Sequence, residues 1–291
     1  MIRKLLTTAI ILIVILGCKK VDTTPSWVRI DAFTLTTNEV EEGANSHNIT
    51  DAWVFMDGKA LGVYELPCKF PVLADGEHEF VIYPGIKNNG ISSSRMRYPF
   101  YTSFEETATL TYHDTLIFEP KTAYSSATGF AFIEDFESAG IAFVKGPTSD
   151  TNIRFVTKAE QPEIVKYGDK CGLITLQGND TLYAGSTQES LILPKSKEVF
   201  LEIDYRNNNS IATGVISGFI DGTVQEHTPL VILNPQDNGQ EVWKKIYINL
   251  SEDVSAYSNS VSHEFYLLAS LDDNISEGNI YIDNIKVVYA K

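Results

Sequence analysis

The chain has 291 residues, with 23 Lys and Arg against 38 Asp and Glu, which gives a net charge of −15. This acidity argues against a nucleic-acid partner and against electrostatic attachment to anionic lipid, because both repel a negative surface. It is compatible with ligands that are cations or neutral sugars. Aromatic residues make up 11% of the chain, enough to fill the core of one large or two medium domains.

The N-terminus has the features of a secretory signal. A cationic pair precedes the apolar run 5–16, which is too short to span a membrane as a helix. The run ends in "ILGC" and two lysines follow. This resembles a bacterial lipobox, and the resemblance implies that 1–17 is a signal peptide, that Cys18 is lipidated, and that 18–26 is a short tether.

The rest of the chain is predicted to be all-β. Short runs rich in Val, Ile, Tyr, Phe and Thr are separated by Gly, Asn, Asp and Pro. The stretches "MDGK" and "ADGE" each place Asp-Gly between apolar runs, which predicts hairpins. We expect a small β-sandwich over 27–120, a linker over 121–130 and a second sandwich over 131–291. Cys68 and Cys171 fall in different predicted domains, so we expect two free thiols rather than a disulfide.

The first predicted domain contains a patterned stretch, "DAWVFMDGKALGVYELPCKFPVLADGEHEFVIYPG". It resembles PEGA-like and related Ig-like β-sandwich modules, in which a "V-x-V-D-G-x-x-x-G" hairpin leads through a proline to a "G-x-H" strand. The matching positions are Asp57, Gly58, Gly62, Pro67, Gly76 and His78. The resemblance implies a fold and says almost nothing about function.

The second predicted domain opens with "EDFES" and closes with "NIYIDNIKV". These segments resemble the first and last strands of jelly-roll β-sandwiches common among carbohydrate-binding modules. The resemblance implies a jelly roll that binds a glycan by stacking aromatic side chains on sugar rings. The candidate stacking residues are Tyr205, Trp243, Tyr247 and Tyr257. The alternative is that most of these rings belong to the core.

The same resemblance implies a structural calcium ion where the first and last strands meet. Calcium takes six to eight oxygen ligands, which carboxylates can supply. The candidate ligands are Glu134, Asp135, Glu137 and Asp283. The alternative is that these acids are solvated at strand ends, and no other cofactor is predicted.

The stretch "VFLEIDYRN" is similar to an E-I-D-x-x-E pattern in one clan of retaining β-glucan hydrolases. Glu202 and Asp204 match, but Arg206 and Asn207 stand where the second carboxylate is needed. We therefore interpret the stretch as a half-buried strand in which Arg206 neutralises the neighbouring acids. The sequence also lacks the common hydrolase, nucleotide-binding and metalloprotease motifs, and we predict that the protein is not an enzyme.

The segment 83–101, "YPGIKNNGISSSRMRYPFY", is basic and rich in tyrosine within an acidic chain. Tyr and Arg are enriched at protein interfaces, so this segment is a candidate docking surface for a partner. The candidate residues are Lys87, Arg95, Arg97, Tyr98 and Tyr101. The alternative is a long connection whose tyrosines cover the edge of the core.

Two functions remain open from the sequence, and the sequence favours the first. The first is a non-enzymatic, lipid-anchored accessory subunit of an outer-membrane protein complex for assembly, secretion or import, with a β-barrel partner. The second is a glycan-binding surface lipoprotein. Asp-Thr pairs at Asp22, Asp114 and Asp180 resemble O-glycosylation sites of Bacteroidota envelope proteins. With the lipobox they indicate a Bacteroidota-type outer-membrane lipoprotein, on either face of that membrane.

Overall fold

A computed structural model describes residues 24–237 and 239–291. The predicted signal peptide, Cys18 and most of the predicted tether lie outside these residues. The described chain is almost entirely β, with two short helices, so the all-β prediction is confirmed.

The elements of the first half, in chain order, are β1 (Ser26–Ile30), β2 (Thr34–Thr36), α1 (Glu39–Glu42), β3 (Asp51–Met56), β4 (Lys59–Glu65), β5 (Cys68–Val72), β6 (Gly76–Lys87), β7 (Arg95–Arg97), β8 (Phe104–Leu110), β9 (Thr115–Phe118) and β10 (Lys121–Ala123).

The elements of the second half are β11 (Thr128–Glu134), β12 (Phe143–Lys145), β13 (Arg154–Thr157), β14 (Lys170–Gln177), β15 (Leu182–Thr187), β16 (Val199–Asn207), β17 (Ile211–Phe219), β18 (Val224–Glu226), β19 (Val231–Leu233), β20 (Lys244–Asn249), α2 (Ser251–Ser255), β21 (Ser260–Ser270) and β22 (Glu277–Ala290).

The first half is built on a five-stranded sheet in the order β4-β3-β6-β7, with β8 also paired to β6. A second sheet places β1 between β5 and β9. The predicted "MDGK" hairpin joins β3 to β4, and Asp57 and Gly58 both have positive φ, as a tight primed turn requires. The "ADGE" hairpin prediction is wrong, because β5 and β6 lie in different sheets: β5 pairs with β1, whereas β6 pairs with β3.

The second half is a sandwich of two six-stranded sheets. One runs β13-β14-β22-β16-β20, with β11 also on β22, and the other runs β12-β15-β21-β17-β18, with β19 also on β17. Alternation along β16 sends Leu201 and Ile203 into the core between the sheets. The opposite face of β16 is directed toward the first half of the chain.

The predicted linker, 121–130, is structured. Its first residues form β10, which pairs with β2, and its last residues begin β11, which pairs with β22. Between these strands Tyr124 is buried. One apolar cluster contains both Tyr98 of the first half and Phe200 of the second, so the two halves share a core at their junction.

Two further features of the fold bear on the sequence predictions. Cys68 and Cys171 are both free thiols, the first half-buried and the second buried. In the part of the chain that the structure describes, neither helix has the length and apolar character needed to cross a membrane.

Candidate functional site at the domain junction

The outer face of β16 carries two carboxylates into the junction. β16 lies between β20 and β22, and the register places Glu202 opposite Lys286 of β22 and Asp204 opposite Lys245 of β20. Directly opposite residues on paired strands point to the same face. The register therefore gathers two acids and two lysines on one surface, which the first half of the chain then covers.

Glu202 is completely buried, and its oxygens are fully engaged. Tyr98 Oη donates to Glu202 Oε1 at 2.7 Å, and Tyr124 Oη lies 2.9 Å from both carboxylate oxygens. Lys245 Nζ is 3.0 Å from Glu202 Oε2 and 3.5 Å from Asp204 Oδ1. A buried charge costs several kcal/mol unless it is paired and hydrogen-bonded, and here both conditions are met.

The two lysines titrate differently. Burial would lower the pKa of Lys245, but the facing carboxylates of Asp204 and Glu202 raise it above its usual value. Burial, and after it the charge of Lys245, lower the pKa of Lys286 to about 8. Burial likewise works to raise the pKa of Glu202, but the two lysines outweigh burial and hold that pKa below its usual value. The junction is therefore charged at neutral pH.

These contacts answer the question raised by the E-I-D pattern. Glu202 and Asp204 are 0% and 3% exposed, so neither carboxylate can contact a substrate. The prediction of a half-buried strand is therefore wrong, because the first half of the chain covers the second face of β16. The prediction that Arg206 neutralises them is wrong, because its nearest ion-pair partner is Glu241 at 3.9 Å. Lys245 takes that role from the neighbouring strand.

The predicted docking tyrosines lie inside the molecule. Tyr98 and Tyr101 are 2% and 5% exposed and belong to the core shared by the two halves. Tyr98 donates to Glu202, and Tyr101 Oη lies 3.2 Å from Tyr247 Oη. Tyr98 and Tyr101 thus pack against the chain's own second half, and they are not available to a separate partner.

The predicted docking cations are engaged within the first sandwich. Arg95 forms ion pairs with buried Asp51 and with Glu65, and Lys87 Nζ lies 3.6 Å from Glu65 Oε1. Arg97 is exposed, and its guanidinium lies 4.7 Å from the centre of a tyrosine ring in the same sheet. Only Arg97 of this group presents its charge on the surface without an acidic neighbour recorded among the described residues.

The four predicted calcium ligands lie in two places, with Glu134 apart from the other three. Both oxygens of Glu134 accept backbone N–H groups, at 2.7 and 2.5 Å. Asp135, Glu137 and Asp283 line a separate small cavity, where Glu137 also accepts two backbone N–H groups. Burial raises the pKa of Asp283 well above its usual value. Among residues 24–237 and 239–291, no three His, Cys, Asp or Glu side chains are grouped to hold a metal ion.

The four predicted stacking aromatics separate into three environments. Tyr247 is 1% exposed, accepts the N–H of Asn48 at 3.0 Å and is part of the shared core. Tyr257 lies at the other sheet, edge-on to a phenylalanine and a histidine ring. Tyr205 and Trp243 are half-buried and line the same cleft. These two rings pack against different apolar clusters, and the cleft is what they share.

That cleft, which we call the junction cleft, has a volume of about 270 Å³ and opens along β20, an edge strand. The first half contributes loops that contact β20 directly: Asn88 forms a parallel bridge with Tyr247, and Asn89 Oδ1 accepts the N–H of Asn249 at 2.8 Å. The lining residues used below are His47, Asn48, Lys87, Tyr205, Trp243 and Lys244. The cleft therefore exists only because the two halves are docked.

Trp243 is held in place within this cleft. Its indole Nε1–H donates to the carbonyl oxygen of Ile164 at 2.6 Å, and the ring packs on a small cluster that includes Val165. A side chain whose rotamer is fixed before binding loses less entropy when a ligand arrives. The cleft thus combines a preset aromatic ring with polar groups on its walls, as small-ligand sites commonly do.

A Ser-His-Asp arrangement lies apart from the junction, and sequence reasoning missed it. Ser217 Oγ is 2.9 Å from His227 Nε2, and His227 Nδ1 is 3.0 Å from Asp253 Oδ1. The order matches that of a nucleophilic triad, but Ser217 is 0% exposed and its hydroxyl cannot meet a substrate. His227 lies ten positions after Ser217 and 26 before Asp253, so no local sequence motif contains the three residues. We interpret them as a buried polar contact between β17 and α2.

Comparisons with known proteins give distant likenesses only. No family model matches the chain, and no curated protein matches it. A bacteriophage CBA120 tailspike enzymatic domain is 11% identical with a TM-score of 0.37, and the match covers 53% of this chain and 20% of that one. An adhesin domain of Lys-gingipain from Porphyromonas gingivalis W83 is 11% identical with a TM-score of 0.34, covering 55% and 98%.

A carbohydrate-binding module of the β-sandwich superfamily, described as promiscuous in specificity, is 14% identical with a TM-score of 0.35, covering 81% of this chain and 84% of that one. At TM-scores below 0.5 these likenesses carry no functional argument. The geometry of the junction is therefore what a functional proposal must rest on.

Proposed function

We propose that the protein is a non-catalytic, glycan-binding envelope protein, anchored through a lipidated Cys18, which holds a sugar chain in the junction cleft. One observation carries the proposal: Tyr205 and Trp243 line the same open cleft beside the polar side chains of Asn48 and Lys244. Aromatic rings offer a flat apolar face to a sugar ring, and the polar neighbours can bond to its hydroxyl groups.

The alternative, an accessory subunit of an outer-membrane complex, loses its main support. It depended on segment 83–101 as a free docking surface. Tyr98 and Tyr101 of that segment are instead buried in the junction between the two halves of the chain. The non-catalytic part of the proposal is supported by the closed environments of Glu202 and Ser217, both 0% exposed.

The test is a glycan array probed with the full chain, followed by calorimetric titration of each glycan retained. Trp243→Ala is expected to weaken binding about two- to tenfold, because an aromatic contact contributes about 0.5–1.5 kcal/mol. Tyr257→Ala is the matched control, since this ring lies outside the junction cleft and should leave affinity unchanged. Thermal unfolding of both variants checks that they fold.

Two results would reject the proposal. If the full chain bound no glycan on the array, the proposed glycan-binding function would be rejected. If Trp243→Ala and Tyr257→Ala both folded and lost the same amount of glycan affinity, the junction cleft would be rejected as the binding site.

A further inference from the structure

The junction cleft differs in charge from the rest of the molecule. The chain carries a net charge of −15, yet the cleft is lined by Lys87, Lys244 and Lys245. Among the described residues that line it, none is Asp or Glu. A basic cleft in an acidic protein raises the local concentration of anions and disfavours cations.

The positive charges of the cleft are not equally available. Lys245 is buried and already paired with Glu202 and Asp204 behind the cleft. Lys87 is half-buried and lies 3.6 Å from Glu65 Oε1, a longer and more solvated contact. Lys244 is exposed and takes part in none of the ion pairs found among the described residues. Lys244 and, in part, Lys87 therefore remain free for a ligand.

These two lysines come from different halves of the chain. Lys87 ends β6 of the first sandwich and Lys244 begins β20 of the second. The backbone contact between Asn88 and Tyr247 holds the walls together. An anionic group in the cleft would thus meet an ammonium from each domain, while Trp243 lies next to Lys244 in sequence and lines the same space.

Histidine supplies a neutral polar group at the same place. Burial lowers the pKa of His47 below its ordinary value of 6.5, and the charge of Lys245 lowers it further. His47 is therefore a hydrogen-bonding group at neutral pH rather than a third free cation.

We propose that the ligand of the junction cleft is an acidic glycan, with sugar rings on Tyr205 and Trp243 and a carboxylate or sulfate group between Lys87 and Lys244. The inference rests on the proposed glycan-binding function and narrows it to one chemical class. Uronic acids and sulfated sugars share the required chemistry, which is a fixed negative charge on a sugar ring.

The test compares glycans that differ only in charge. Calorimetric titration of the full chain with tetragalacturonate and with its fully methyl-esterified form isolates the carboxylate, and a sulfated chondroitin tetrasaccharide probes the other anion. We expect an acidic glycan to bind at least about fivefold more tightly than the neutral ester, and to weaken several-fold between about 50 mM and about 500 mM NaCl.

Lysine variants locate the charge that matters. Lys87→Gln combined with Lys244→Gln should reduce affinity for the acidic glycan about five- to tenfold and leave the neutral ester unaffected. Lys59→Gln is the matched control. Lys59 is an exposed lysine that begins β4 and pairs with Met56 at one end of β3. Lys87 ends β6, two residues past Gly85, which pairs with Asp51 at the other end of β3.

The outcomes separate the two proposals. Preference for either acidic glycan, lost in the double variant and kept in Lys59→Gln, supports the inference and identifies the anionic group. Equal affinity for tetragalacturonate and its ester, both sensitive to Trp243→Ala, overturns the inference and leaves the proposed function standing. Binding of none of these probes, with no glycan retained on the array, rejects both.

Discussion

Two polar regions lie side by side along β20, and they differ in burial and in charge pairing. In the buried junction, Lys245 and Glu202 are within 3.0 Å of each other and both are screened from water. In the junction cleft, Lys244 is exposed and Trp243 is only half-buried. Adjacent residues of one strand thus serve two purposes. The buried pair of the second half accepts a hydrogen bond from Tyr98 of the first half and so helps to hold the two halves together. A charge left open to solvent is instead available to a ligand.

The largest expected effect comes from breaking the closed pair. Lys245→Met leaves Glu202 and Asp204 buried without their counter-charge, so the free energy of unfolding should fall by about 3–5 kcal/mol. Chemical denaturation followed by circular dichroism measures the change. The double variant Lys245→Met with Glu202→Gln removes the orphaned charge and should recover part of the loss. A single-variant loss below about 1 kcal/mol would mean that the pair is solvated.

A smaller effect is expected from one hydroxyl of segment 83–101. Tyr98→Phe removes a donor to Glu202 but keeps the ring, so the free energy of unfolding should fall by about 1–3 kcal/mol. Arg97→Ala, one residue earlier and exposed, is the control and should cost no more than about 1 kcal/mol. If Arg97→Ala were the more damaging change, the inward assignment of Tyr98 would be incorrect.

The buried lysine of β22 gives the junction a pH dependence. Because the pKa of Lys286 is about 8 in the folded protein and about 10.5 when unfolded, the unfolded chain binds more protons between these values. The contribution of Lys286 to stability should therefore rise by about 1.5 kcal/mol between about pH 8 and pH 9.5. Burial raises the pKa of Cys171 and of buried tyrosines such as Tyr98, so these groups ionise first in the unfolded chain and act in the opposite direction. Denaturation midpoints of the unchanged protein and of Lys286→Met across this window isolate the lysine: the slope of stability against pH should be less positive in the variant, and equal slopes would contradict the assignment.

The smallest effect concerns the third polar cluster. Ser217→Ala removes one hydroxyl facing His227, so unfolding should become easier by about 0.5–1.5 kcal/mol. Affinity for any glycan should stay the same, because these residues do not line the junction cleft. A hydrolytic activity in the full chain that disappears in Ser217→Ala would instead make the cluster catalytic and overturn our structural interpretation.

Local sequence patterns predicted the features that depend on residues close together in the chain, namely strand faces and tight turns. Alternation along "VFLEIDYRN" placed Leu201 and Ile203 on one face and Glu202 and Asp204 on the other, and the structure confirms this division. The Asp57-Gly58 turn was equally predictable from the sequence, because Asp-Gly readily adopts positive φ at two successive positions. Each of these signals lies within about ten residues.

Contacts between residues far apart in the chain could not be predicted from local patterns. Nothing in β16 indicates that Lys245, 43 positions after Glu202 in the chain, neutralises its carboxylate. The tyrosines of segment 83–101 carry the signature of an interface, and the sequence could not tell an interface between domains from one between proteins. Tyr205 and Trp243 were among four candidate rings, but the cleft that selects them is made from loops of the other domain.

The most direct test of the account uses the three tryptophans, Trp27, Trp53 and Trp243, as reporters. In a ¹H–¹⁵N spectrum of the full chain, Trp243→Phe assigns the indole signal of the junction cleft. Addition of tetragalacturonate, or of any glycan retained on the array, should shift that signal in proportion to occupancy and leave the other two indole signals in place. A bound glycan that leaves the Trp243 signal unmoved, or that shifts only Trp27 or Trp53, would contradict the junction cleft as the binding site.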